Sequence, residues 1–217
     1  MKLLTETTTD VEYITEADDS GKKNLYITGP FLAFNTGNKN GRIYPEAVMD
    51  KEVNRYIKEA IDTGTSWGEM QHPATPAISL ERVSHIITEL KKSGNHYMGK
   101  AKICETPMGN IAKGLIESGG KLGVSSRALG TLVKRGDLME VQADFRLATA
   151  GDLVSNPSGP GCFVNGIMEN VSWFYDESLG WQTQEIAENI KKEVHSNYKK
   201  LNENDFLRLF NKYLHSI

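Results

Sequence analysis

The sequence predicts an α+β fold: a compact barrel or curled sheet with two helices inserted into it. Three observations lead there. Strand-like segments recur through the middle of the chain, two amphipathic stretches open on Pro45 and on Thr106-Pro107, and the order lacks the regular strand-helix alternation of a doubly wound fold. The glycine fingerprint of a dinucleotide site is also missing from the sequence, which sets a Rossmann reading aside.

Residues 1–22 are rich in Thr, Glu and Asp and carry Val11, Tyr13 and Ile14 as anchors, so they read as a polar arm that pairs as an edge strand or stays loose. Leu25-Tyr26-Ile27 and Phe31-Leu32-Ala33-Phe34 flank Gly29-Pro30, the pattern of two short strands or of one interrupted by a bulge. After a loop over Asn35–Gly41, Pro45 occupies a first helical position. Val48, Val53, Tyr56, Ile57, Ala60 and Ile61 follow at helical spacing until Gly64. Gly64–Ala77 reads as a loop, and Arg82–Leu90 with His96–Cys104 as a hairpin turned through Lys91–Asn95.

Thr106 is an N-cap with Pro107 behind it, and Met108, Ile111, Ala112, Leu115 and Ile116 form a helical stripe that ends at Gly119-Gly120. Strands are expected again at Leu122–Ser126, Thr131–Lys134, Leu138–Leu147 and Ile167–Trp173. Residues 23–180 therefore read as the working domain. The segment 181–217 reads as a helical tail, with Ile186, Ile190 and Val194 stepping by four and a second stripe from Phe206 to Ile217.

At 217 residues, 39% hydrophobic and 24% charged, the chain suits one core with appendages. A formal charge of −3 gives no footprint for nucleic acid, and no run approaches the roughly 20 apolar residues that span a bilayer, so neither nucleic acid nor membrane is an expected partner. Cys104 and Cys162 lie 58 positions apart without zinc spacing, which predicts a reducing compartment, no metal and no cofactor.

The chemistry centres on Gly123-Val124-Ser125-Ser126-Arg127-Ala128-Leu129-Gly130, a strand able to present a serine hydroxyl or simply to pack. Serine needs a base to take its proton and a third group to fix that base. Of the five histidines, His195 and His215 fall in the tail, His96 in a charged turn, and His85 between apolar neighbours that read as core. His72, in Gly68-Glu69-Met70-Gln71-His72-Pro73, sits in a loop where Pro73 enforces extended backbone; a loop histidine packed by Pro73 and Trp67 is the plain alternative. Asp144 and Asp152 are both available as the third group, and turn capping is the other use for Asp152.

Together with Asn38-Lys39-Asn40-Gly41-Arg42-Ile43-Tyr44-Pro45 and Asp152–Ser158, these motifs in this order resemble the prohead protease family of tailed phages, of the T4 type, over about Asn24–Asn170. The family is similar in fold to herpesvirus maturation proteases, which implies a closed, mostly antiparallel β-barrel surrounded by helices. The resemblance implies Ser125 as nucleophile, His72 as general base and Asp152 as third member, with Ser126 one pleat away on the other face.

T4-type members cut after Glu in Leu/Ile-x-Glu, in scaffold and capsid proteins inside the immature head. The resemblance therefore implies a serine endopeptidase in the host cytoplasm, inside the prohead, acting on scaffold and major capsid polypeptides and able to form a homo-oligomer. A Glu-selective site calls for a basic group, and Arg42 and Arg127 are the candidates, each with a structural ion pair as its alternative. Such triplets occur in the chain itself, at Leu4-Thr5-Glu6, Ile14-Thr15-Glu16, Ile186-Ala187-Glu188 and Leu201-Asn202-Glu203, and trimming of the tail after Glu188 or Glu203 is expected. A non-catalytic capsid or scaffold component of the same fold and a small-molecule serine hydrolase are the rival classes.

Overall fold

A computed structural model of the chain describes residues 1–8, 10–17, 21–155, 173–176 and 180–183. Its strands are β1 (Lys2–Thr8), β2 (Glu12–Ala17), β3 (Lys23–Ala33), β4 (Arg42–Ile43), β5 (Trp67–Glu69), β6 (Val83–Ser93), β7 (His96–Ile103), β8 (Leu122–Gly130), β9 (Leu132–Arg135), β10 (Leu138–Val141), β11 (Arg146–Ser155), β12 (Trp173–Asp176) and β13 (Gly180–Thr183). The helices are α1 (Glu46–Tyr56), extended by a π-helical turn over Ile57–Ile61, and α2 (Pro107–Glu117).

Two antiparallel sheets form the body. One runs β2-β3-β7-β6-β5, the other β1-β8-β11 with β8 in the centre. A smaller sheet, β4-β10-β9, and the β12-β13 hairpin complete the order. Both larger sheets contribute to one buried cluster that includes Leu4, Ile27, Phe31, Ile87, Val124, Ala128 and Leu153, and α1 adds Met49, Val53 and Tyr56 to it. Glu52, buried on α1, accepts from the Leu147 amide at 2.7 Å and pairs with Arg55, which fastens the helix to β11. In α2, Thr106 Oγ1 accepts from the Gly109 amide at 3.1 Å. Gly109 packs so close to the Cys104 carbonyl that a Cβ there would lie 1.9 Å from the oxygen.

The barrel expected from the resemblance is not closed. Among the described residues the two larger sheets meet at a single parallel bridge, Met70 to Leu153, supported by the Gln71 amide donating to the Leu153 carbonyl at 2.7 Å. That seam stops because β5 is three residues long, Gln71 turns into the left-handed region at φ 63° and Pro73 has no amide to donate. Among the described residues β1 and β2 each remain the edge of their own sheet. Nor do helices surround the sheets: the described residues are mostly strand, with two helices and short turns.

Residues 1–22, read as a polar arm, supply the two edge strands β1 and β2, whose mixed exposure explains their weak apolar signal. Leu138–Leu147 is two strands, because the Phe145 amide turns back to the Gln142 carbonyl and Asp144 caps the Thr131 amide at 3.0 Å. On α2, Ile111 and Leu115 are exposed, so only part of its apolar stripe meets the core. The expected strand Ile167–Trp173 lies outside the described residues except for Trp173, which opens β12, and the expected tail helices lie wholly outside them.

The seam also depends on Gly68. A Cβ there would lie 2.1 Å from His85 Nε2 and 2.4 Å from the Gly151 carbonyl oxygen. Gly68→Ala is expected to destabilise the protein by about 1–3 kcal/mol through this overpacking, read as a lower urea midpoint; an unchanged midpoint contradicts the packing described.

Candidate active site

β8 is buried along all nine residues because it lies between β1 and β11. Residues paired across an antiparallel sheet point to the same face. One rung carries Thr7, Ser125 and Asp152, and the next on that face carries Thr5, Arg127 and Thr149. Ser126 pairs with Glu6 and so projects to the opposite face.

Asp152 reaches the Ser125 rung through two irregularities in β11. The register that begins at Arg146 opposite Leu129 would, if continued, place Ala150 opposite Ser125. Bulges between Leu147 and Thr149 and between Thr149 and Asp152 shift the strand by two residues. Gly151 fits within the second bulge because a Cβ there would lie 2.5 Å from Val124.

His72 arrives from the loop after β5. The left-handed turn at Gln71 and its bond to Leu153 aim the loop along β11, and Pro73 keeps His72 out of helical geometry. Its Nδ1 lies 2.9 Å from Asp152 Oδ2 and its Nε2 bonds Ser125 Oγ. An ionised carboxylate only accepts, so Nδ1 carries the proton and Nε2 offers its lone pair to the Ser125 hydroxyl. Thr7 Oγ1 donates to the same Ser125 oxygen at 2.8 Å.

Behind this chain of three lies a buried ionic cluster. Asp152 Oδ1 accepts from the Glu69 amide at 2.9 Å and from Arg127 Nη2 at 3.3 Å. Arg127 Nε is 3.0 Å from Asp152 Oδ2 but is not aligned to hydrogen-bond it. Arg127 Nη2 also pairs with Glu69, whose Oε1 accepts from the Ser79 amide at 2.8 Å. Arg127 Nη1 donates to the Thr75 and Ala77 carbonyls, at 2.5 and 3.3 Å. The guanidinium thus ties the loop that carries His72 to the carboxylate that His72 bonds. Two carboxylates against one guanidinium leave this cluster a formal charge of −1, which a proton arriving on His72 would neutralise.

The other residues singled out in the sequence fall elsewhere. Arg42 lies on the far face of β1, paired with Glu6 at 3.1 Å. Arg127 is fully buried and committed to Glu69 and Asp152. Asp144 caps a turn. His85 is buried, donates Nε2–H to the Gly151 carbonyl at 2.9 Å and accepts from Ser84 Oγ at Nδ1; burial pushes its ionisation below the ordinary imidazole value. His96 is exposed at the start of β7. His195, His215, Cys162, Glu188, Glu203 and the end of the Asp152–Ser158 motif lie outside the described residues. Sequence reasoning gave no role to Glu69 or Thr7. Glu69 stood inside a quoted motif, and its burial was the missing signal; Thr7 stood in a polar arm with nothing to mark it.

A hydroxyl, an imidazole and a carboxylate joined in series on a sheet of this kind define a hydrolase-like site, and comparison with known proteins gives the class. The sequence model of the family described as "Prohead core protein serine protease" matches residues 6–172. The chain is 32% identical over 176 residues to the "Prohead core protein protease" of Enterobacteria phage T4, covering 79% of this chain and 83% of that one. The solved structure titled "Structure of the bacteriophage T4 capsid assembly protease, gp21" superposes with a TM-score of 0.67 at 31% identity, over 73% of this chain and 98% of that one. The chain belongs to the prohead core protein serine protease family.

Removing the guanidinium strands two buried carboxylates. Arg127→Ala is expected to cost about 3–5 kcal/mol of stability, measured by chemical denaturation, whereas Arg42→Ala, on a partly exposed pair, should cost about 1 kcal/mol or less. Equal losses would contradict the different burial of the two ion pairs.

Proposed function

We propose that the protein is a serine endopeptidase of the phage prohead that cleaves scaffold and capsid polypeptides after Glu in Leu/Ile-x-Glu sequences during head maturation. The observation that carries this reading is His72 bridging Ser125 and Asp152. The T4 relatives, one described as a prohead core protein protease and the other as a capsid assembly protease, support the setting inside the immature head in the host cell.

In this mechanism Ser125 Oγ attacks the carbonyl carbon while its proton passes to His72 Nε2. The tetrahedral intermediate collapses when the imidazolium returns that proton to the departing amine, and an acyl-enzyme remains on Ser125. Water then attacks the ester, His72 takes its proton, and Ser125 recovers a proton as the acid product leaves. Asp152 holds the imidazole with Nε2 toward Ser125, and the formal charge of −1 on the cluster behind it stabilises the imidazolium. Of the two arginines, Arg127 is committed inside this cluster, so Arg42 is the cation we assign to a substrate carboxylate.

The test is digestion of Leu-x-Glu peptides with product sequencing. Wild type is expected to cut after Glu, Ser125→Ala to show no cleavage, and Ser126→Ala, altered on the opposite face, to keep most of the activity. Asp152→Asn should lower kcat by about 10⁴-fold. Cleavage by Ser125→Ala at the wild-type rate would overturn the assignment. Intact masses of wild type and Ser125→Ala after incubation test trimming after Glu188 or Glu203, which is expected in the wild type alone.

A further inference from the structure

His85 is a buried titratable side chain for which the mechanism has no use. It stands on β6 between Gly68 of β5 and Ile103 of β7, and its ring crosses to β11 in the other large sheet, where Nε2–H meets the Gly151 carbonyl at 2.9 Å. Gly151 is the residue before Asp152. Together with Ala150 it stands opposite the single residue Ser126, between the Thr149 and Asp152 rungs of β8. A bulged residue leaves the ladder, so its amide and carbonyl need other partners.

Side chains supply those partners. The Gly151 amide donates to Thr149 Oγ1 at 3.3 Å, the same hydroxyl lies 3.3 Å from the Gly151 carbonyl oxygen, and His85 makes the shorter bond to that oxygen. A carbonyl only accepts, so the ring proton is on Nε2, and Nδ1 accepts from Ser84 Oγ at 2.9 Å. Burial keeps the ring neutral against the opposing pull of the Asp152 charge, which preserves this tautomer. Ser84, His85 and Thr149 are all fully buried, and a hydrogen bond lost there is not replaced by bulk water. Beyond Asp152, the Leu153 carbonyl accepts from the Gln71 amide at 2.7 Å. The backbone that carries the carboxylate is thus tied down on both sides, by His85 before it and by Gln71 after it.

We infer that His85 is a positioning residue for the reaction: through Gly151 it locks the bulge that sets Asp152, and with it the imidazole of His72, within reach of Ser125. The inference rests on the serine endopeptidase reading and adds to it a residue from the other sheet. Its bonds go to Ser84 and Gly151 and to none of the three reacting residues, so it acts through the backbone alone. The bond it protects, His72 Nδ1 to Asp152 Oδ2 at 2.9 Å, tolerates little displacement.

The test compares full-length His85→Leu, His85→Gln and Ser84→Ala with wild type on a Leu-x-Glu peptide, at a temperature where circular dichroism shows each chain folded. His85→Leu removes both ring nitrogens without adding bulk against Gly68, and kcat is expected to fall about 100-fold, the effect of misplacing a catalytic group by about 1 Å, with KM unchanged. His85→Gln, whose side-chain amide donates from near the Nε2 position, is expected to recover most of kcat. Ser84→Ala removes one neutral hydrogen bond and should lower kcat about fivefold. A role in stability alone would lower the urea midpoint and leave kcat of the folded protein unchanged. Unchanged kcat in His85→Leu, or His85→Gln as slow as His85→Leu, overturns the inference. For a His85→Leu chain that does not fold, Ser84→Ala decides, and unchanged kcat there overturns it. Labelling by a fluorophosphonate separates the two readings. Labelling of Ser125 at equal rates in wild type and His85→Leu removes the positioning role and leaves the peptidase, whereas no labelling of Ser125 in wild type removes the peptidase reading itself.

Discussion

The carboxylate of Asp152 is the point on which the rest of the site depends. It is fully buried, and it is tolerated there because the Glu69 amide, the Arg127 guanidinium and the His72 imidazole surround it. A buried charge without such partners would cost several kcal/mol. Its partners come from three places in the chain: the end of β5, the middle of β8 and the loop that follows β5. Satisfying one carboxylate therefore fixes the loop that bears His72 against the strand that bears Ser125. Glu69 extends the same logic by anchoring the Ser79 amide, and Arg127 by gripping the Thr75 and Ala77 carbonyls.

The open sheet has a functional consequence. A closed barrel has no strand edges, whereas here β8 has β11 on one side and β1, an edge strand, on the other. The two faces of β8 then divide the work. Ser125 and Arg127 face Asp152, Glu69 and His72, while Ser126 lies on the face where Glu6 meets Asn40, Arg42 and Tyr44. Strand alternation thus separates the hydroxyl that meets His72 from the cation that meets a carboxylate, although Ser125 and Ser126 are neighbours in sequence.

Local patterns were legible in the sequence. The helices behind Pro45 and Thr106, the hairpin of β6 and β7, and the interrupted strand β3 each follow from spacing, caps and turn residues within about a dozen positions. What was not legible depends on long-range partners. β1 and β2 are edge strands with polar outer positions, β5 has three residues, and the two bulges that bring Asp152 rather than Ala150 opposite Ser125 follow from packing against Val124 and Phe31. The same holds at the site. Motif order singled out Ser125, His72 and Asp152, which lie within hydrogen-bonding reach of one another, but Glu69 and Thr7 acquire meaning only through burial and register. Sheet closure was the largest misreading, since residue patterns do not reveal whether the last ladder forms.

The central claim is that Asp152, held by Arg127 and Glu69, fixes the imidazole of His72 with its proton on Nδ1. The proton NMR spectrum of the full chain reads this directly. A resonance far downfield of the amide envelope is expected, lost in His72→Gln and in Asp152→Asn but retained in Ser125→Ala. A spectrum without that resonance, or one in which it survives Asp152→Asn, would contradict the account.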